Sequence, residues 1–161
     1  MGFITFLERF FNPYIVTFIA AMTPIFELRA AIPLGVSLGL TPLAALVISI
    51  LGNTVPVPLI IIFIRRIFAW LRVHIPKLGN FISRLERKAA SKQDFIQKWQ
   101  FWGLFLLVAI PLPSTGAWTG ALVAALMDMR MKRALPSIFL GVVAAGLIVS
   151  VITYGAIGIF S

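Results

Sequence analysis

The chain has 161 residues, 60% of them apolar and 12% charged, with a mean hydropathy of +1.03; this lies outside the soluble globular range and reads as a single-domain integral membrane protein. It contains no cysteine and one histidine, which excludes disulfides, thiolate metal centres and cysteine nucleophiles, so no metal or cofactor is expected. The net charge of +9 sits in two patches beside apolar runs, which points to a membrane surface and not to nucleic acid.

In chain order, the first segment, MGFITFLERFFNPY, has no basic residue ahead of its apolar stretch and reads as retained rather than as a cleaved signal. Phe3, Phe6, Leu7, Phe10 and Phe11 recur at helical spacing, which predicts an amphipathic interfacial helix over 1–13. Residues 14–40 are apolar but break at PIFELR. Each arm is about ten residues, near 15 Å at 1.5 Å per residue and half the thickness of a bilayer. Half-length arms around a polar, proline-bearing break predict a re-entrant hairpin, whose tip is tolerated at membrane depth only inside protein or beside water. Residues 42–64 form an unbroken apolar run that covers roughly 34 Å, enough to cross.

Residues 65–98 hold nine of the fourteen Lys and Arg, and Leu78, Phe81, Ile82, Leu85, Ala89 and Ile96 share one face there; a basic amphipathic linker on the inner leaflet is expected. Residues 101–127 repeat the half-arm pattern around PLPSTG, and 134–159 form a second spanning run. The alternative for 14–40 and 101–127 is a kinked full span. The positive-inside rule argues for hairpins, because only a hairpin returns Arg130, Lys132 and Arg133 to the side of the basic linker. The expected topology puts 65–98 and 128–133 in the cytoplasm and both termini outside, in the cytoplasmic membrane of a bacterium or archaeon.

The two halves, 14–64 and 101–159, then share one plan of hairpin followed by spanning helix, with Pro24 and Pro111 as equivalent landmarks. One crossing lies between the hairpins, so they enter from opposite sides. The fold class is therefore all-α membrane protein, an inverted repeat of re-entrant hairpin plus transmembrane helix with amphipathic interfacial helices, which is transporter architecture. Gly35 with Gly39, and Gly116 with Gly120, give each second arm a G-x-x-x-G for close helix approach.

The candidate site is where the two tips meet. It holds Glu27, Arg29, Ser114, Thr115, Gly116 and Trp118, with Pro24, Pro33, Pro111 and Pro113 setting the turns and Asn53 and Thr54 either lining the path or satisfying carbonyls freed by Pro56 and Pro58. Ionisable groups at membrane depth cost about 2.5–3.5 kcal/mol each on insertion scales and mark ion or substrate pathways. A helix restarting after Ser114 offers free backbone N–H groups to an anion. Arg29 can grip phosphate from the other side. Glu27 is then the coupling residue, its proton affinity balanced between burial and Arg29. The structural alternative makes Glu27 and Arg29 a neutralising pair and Ser114 and Thr115 ordinary helix caps.

The FELRAAIP and PLPSTGAWTGA motifs, with this length and basic middle, resemble the family of small multidrug export proteins over nearly the whole chain. In its paired hairpins that family is similar to the broader DedA/VTT group, whose resemblance implies movement of undecaprenyl phosphate or lipids. Here the group's acidic-Pro-Gly signature is replaced by FELRAAIPLG and its Gly-rich Arg motif by PSTGAWTG. Three functions compete. The first is proton-coupled movement of an anionic lipid-linked phosphate, the second is proton-coupled export of small organic cations, and the third is a non-transporting membrane scaffold. No catalytic constellation is present in the sequence, so an enzyme is not expected. The expected partners are membrane lipids, protons, one of the two substrate classes and a second copy in a homodimer.

Overall fold

A computed structural model describes residues 12–75, 79–80, 83–84, 87, 93–111 and 116–160. The expected interfacial helix over 1–13 falls almost wholly outside the described residues, as do Pro113, Ser114, Thr115 and much of 76–92. Seven helices carry the described architecture: α1 (Pro13–Met22), α2 (Glu27–Ser37), α3 (Pro42–Thr54), α4 (Pro56–His74), α5 (Gln93–Ala109), α6 (Ala117–Leu126) and α7 (Met131–Phe160). Among the described residues there is no strand.

Local chemistry sets the boundaries. Asn12 accepts a hydrogen bond from the Tyr14 amide at 3.0 Å and Pro13 opens α1, a side-chain cap followed by a proline whose missing N–H costs nothing there. Thr41 and Pro42 start α3 the same way. The α1 helix stops at Thr23, extended because Pro24 follows it. Pro33, expected at a turn, lies inside α2 instead. Its ring is on an exposed face, and one proline on such a face removes a single ladder bond from the helix.

The helix beyond the first crossing runs further than the apolar pattern predicts. No proline follows Pro58 until Pro76, so α4 carries Arg65, Arg66 and Arg72 on the same rod as the apolar run. Pro42–Leu71 and Met131–Gly155 are the two helices long and apolar enough to cross a membrane; at 1.5 Å per residue they measure about 45 and 37 Å. Their outer faces stay apolar, with Leu43, Leu59, Phe63 and Val151 each more than 60% exposed, as lipid contact requires.

Both broken regions fold back on themselves. A Cβ built on Gly35, late in α2, would stand 2.9 Å from Thr17 Oγ1 in the middle of α1. One on Gly120, early in α6, would stand 2.6 Å from Val108 Cγ2 in α5. Each pair of arms therefore lies side by side in opposite directions. The outer arms α1 and α5 pack on the long helix of their own half, α3 and α7, while the inner arms α2 and α6 also reach the other half's long helix, α7 and α4.

The two hairpins end alike, 89 residues apart. Leu40 N bonds to Gly35 O and Gly39 N to Val36 O; Met129 N bonds to Ala124 O and Asp128 N to Ala125 O. This is the Schellman termination, which requires a left-handed residue, and Gly39 (φ +89°) and Asp128 (φ +49°) supply it. Gly39 is thus a helix stop with nothing near its Cβ position, rather than part of a close-packing G-x-x-x-G. Gly116, the other half of the second such pair, is the N-cap of α6, which leaves Gly35 and Gly120 as the close-approach glycines.

Lipid tails give helices no hydrophobic reason to associate, so the interior depends on fit. Ala21, Ala31, Ala45, Ala117, Ala121, Ala124 and Ala134 are fully buried. Gly52 meets the Phe18 carbonyl of α1 at 2.5 Å from its Cβ position, while Gly103 on α5 has open space there. Replacing Gly52 by Val is therefore expected to cost about 1–3 kcal/mol of stability through overpacking, and Gly103→Ala to cost nothing. Thermal unfolding of both variants in detergent measures the difference.

Candidate functional site at the junction of the two hairpins

The starts of α2 and α6, each just past a break, come together inside the bundle. Glu27 opens α2 with a left-handed backbone, φ +44°, a conformation that costs a side-chain-bearing residue about 1 kcal/mol or more and is retained where a site demands it. Its amide bonds to Thr23 O at 3.0 Å. Its carboxylate crosses to the other hairpin, where Oε1 accepts from the Trp118 amide at 3.4 Å. Trp118 is the second residue of α6, so the carboxylate sits against the positive end of that helix. Glu27 is 8% exposed.

Gly116 explains how the carboxylate comes so close. Its φ of +144° suits glycine alone, and a Cβ there would overlap the Glu27 carboxyl group. The Trp118 ring makes a second tie, since its Nε1–H donates to the Met22 carbonyl at the end of α1 at 3.1 Å. The two tips therefore touch through a side chain in each direction. The indole is thus a bolt between the two hairpins. A tryptophan two positions past a glycine break is the signal for it, because a buried indole N–H needs an acceptor.

Behind this junction lies a cavity of about 200 Å³ of empty space, lined by Glu27, Leu28, Arg29, Asn53, Val108, Gly116, Ala117, Val142 and Ala145. The lining follows the 89-residue spacing of the helix stops: Glu27 and Gly116, Leu28 and Ala117, Asn53 and Val142 each occupy corresponding places. The first half contributes a carboxylate, a guanidinium and an amide. At the two matched polar places, those of Glu27 and Asn53, the second half has Gly116 and Val142.

Of the remaining candidates, Pro24 is exposed in the first break and Pro111 lies at the start of the second. Thr54 does not line the cavity; its hydroxyl returns to the Ile50 carbonyl at 2.7 Å. Asn53 is 3% exposed, and its Oδ1 finds no donor among the described residues.

At the far end of the first long helix is a contact that sequence reading missed. Arg65 Nη2 donates to the Met129 carbonyl and stands 3.7 Å from Asp128 Oδ1. Asp128 is 82% exposed, so the ion pair contributes little in water, and the carbonyl bond is the anchor. The end of the first crossing and the exit of the second hairpin thus lie at one end of the molecule. The available signal was Asp128 itself, the one acidic residue after Asp94, set among cations.

Two substitutions probe the junction. Trp118→Phe keeps the ring's bulk but leaves the Met22 carbonyl without its donor, and is expected to cost about 1–3 kcal/mol in thermal unfolding. Gly116→Ala is expected to be worse, and part of its loss should disappear in a Glu27→Ala background, where the collision is gone but the backbone strain remains.

A search of curated proteins and a search of solved structures each return no match. The family model described as "Putative small multi-drug export protein" matches residues 27–148, a stretch that begins at Glu27, just past the first break, and takes in the second break and most of α7. Together with the two membrane-length helices and their apolar outer faces, this makes the chain a membrane protein that belongs to the small multi-drug export protein family.

Proposed function

We propose that the chain is a proton-linked exporter of small organic cations in which Glu27 passes between three partners: the N-terminus of α6, a proton and the cation. One observation carries the reading. The membrane-buried carboxylate, on a strained backbone, both holds the two hairpins together and forms a wall of the cavity they enclose. A charged carboxylate attracts the α6 N–H groups, and a protonated or cation-paired one attracts them less. Loading Glu27 therefore loosens the contact that joins the two hairpins beside the cavity, which is the coupling an exporter needs. The family description fits this substrate class.

A re-entrant, inverted arrangement is part of the same reading, supported by the folded-back arms, the exchange of inner arms between halves and the stop motif repeated after 89 residues. We place the end that holds Arg65 and Arg130 in the cytoplasm by the positive-inside rule and the working unit as a homodimer. The second reading, transport of a lipid-linked phosphate, draws on Arg29 and on the same helix terminus. It comes second because the protein's own carboxylate already occupies that terminus.

The test is transport in proteoliposomes under an imposed pH gradient. Ethidium is expected to accumulate with the parent chain, and Glu27→Gln, whose carboxamide keeps an acceptor for the Trp118 amide, is expected to reduce gradient-driven flux by about tenfold or more. Flux of a fluorescent short-chain polyprenyl phosphate in place of ethidium would replace the cation by the anionic lipid. Unchanged ethidium flux in a folded Glu27→Gln protein would remove Glu27 from the coupling.

A further inference from the structure

Five buried side-chain atoms have no hydrogen-bonding partner in the described protein: Ser49 Oγ, Asn53 Oδ1, Ser150 Oγ, Tyr154 OH and Arg65 Nε. Arg65 Nε belongs to a guanidinium already bonded through Nη2 to Met129. The other four lie on two helices, α3 and α7, that pack against each other. Ser49 and Asn53 are one turn apart on α3, and Ser150 and Tyr154 are one turn apart on α7. Asn53 lines the Glu27 cavity, with Val142 of α7. Further along, the Cβ position of Gly146 meets Leu46 Cδ1 at 2.8 Å and Ile50 Cγ1 at 3.5 Å, so α3 and α7 run antiparallel. From the cavity, Ser49 on one helix and Ser150 then Tyr154 on the other come successively nearer the Thr41 end. Toward the opposite end the buried hydroxyl on α7 is satisfied, since Ser137 Oγ donates to Phe101 O at 2.6 Å.

An unsatisfied polar group in a membrane interior costs several kcal/mol. Four of them kept along one route require a partner, and the partner that serves hydroxyl, amide and phenol alike is water. We propose that water enters the bundle from the Thr41 end along Tyr154, Ser150, Ser49 and Asn53 and reaches the Glu27 cavity. Glu27 then exchanges protons with that face while the Arg65 contact closes the other. The track goes beyond the transport reading and stands or falls separately, because it concerns water and not substrate.

The chain has no cysteine, so single thiols can be read without background. Ser49→Cys and Ser150→Cys are made with Val149→Cys, a buried apolar position beside the track, and Ser137→Cys, a buried position toward the other end. Thr41→Cys and Arg130→Cys, both exposed, define the two faces. Silver ion, small and carried in water, is applied from one side of reconstituted vesicles in chloride-free buffer, and the thiols left are counted with a maleimide after denaturation. The expected result is that Ser49→Cys and Ser150→Cys react about tenfold or more faster than Val149→Cys and Ser137→Cys, since a thiol in apolar surroundings stays protonated, and only from the face on which Thr41→Cys reacts. Rates equal to Val149→Cys, or reaction from the Arg130→Cys face, would overturn the track. Neither serine hydroxyl has a partner among the described residues, so the change to cysteine breaks no bond described there, and either variant alone decides the question if the other does not fold.

Discussion

The bond between the Glu27 carboxylate and the Trp118 amide is the constraint around which the rest is arranged. It needs a side-chain oxygen from one hairpin to reach a helix terminus in the other, and that fixes several residues at once. Glu27 must take a left-handed backbone, Gly116 must lack a side chain, and α6 must begin where its free N–H groups face the first hairpin. In water a carboxylate at a helix end contributes modestly. In a bundle without a hydrophobic drive between helices, a charge-assisted contact at the centre has few competitors.

Around that contact the packing is made of small residues and back-to-back arms. The alanines and close-approach glycines let α1, α2, α5 and α6 lie against the long helices with little side-chain volume between them. Such a core is stiff against compression, with only thin side chains between the arms and the long helices. Two bolts hold it, the indole of Trp118 at the centre and Arg65 on the Met129 carbonyl at one end.

Much of this was legible in the residues. Half-length arms around PIFELR and PLPSTG announced two folded-back pairs of helices, and Glu27 stood out as a buried charge, because hydropathy and charge are properties that a sequence prints directly. What escaped is what depends on contact between distant segments. Pro33 looked like a turn residue because its ring breaks helices in general, while an outward-facing ring in α2 is tolerated. Pro24 and Pro111 gave a repeat spacing of the wrong length, since the breaks differ in length while the helix stops at Gly39 and Asp128 keep step at 89 residues. Asp128 in a left-handed position carries no glycine to advertise it. Asn53 and Thr54 are neighbours of the same polarity, and only their helical directions separate the one that lines the cavity from the one that bonds its own helix.

The pairing of Glu27 with Gly116 also limits the energetics of any cycle. A carboxylate at the second position would collide with the first, so the cavity has room for one acidic group and not for two. On the proton-linked reading each protomer then moves at most one proton per turnover. One charge falling through 100 mV supplies about 2.3 kcal/mol, which at about 1.4 kcal/mol per decade sustains a substrate gradient of roughly fortyfold. On the same reading, a neutral exchange of one proton for one monovalent cation would draw on the pH difference alone and be blind to the membrane potential, so a single glycine would bear on both the stoichiometry and the driving force.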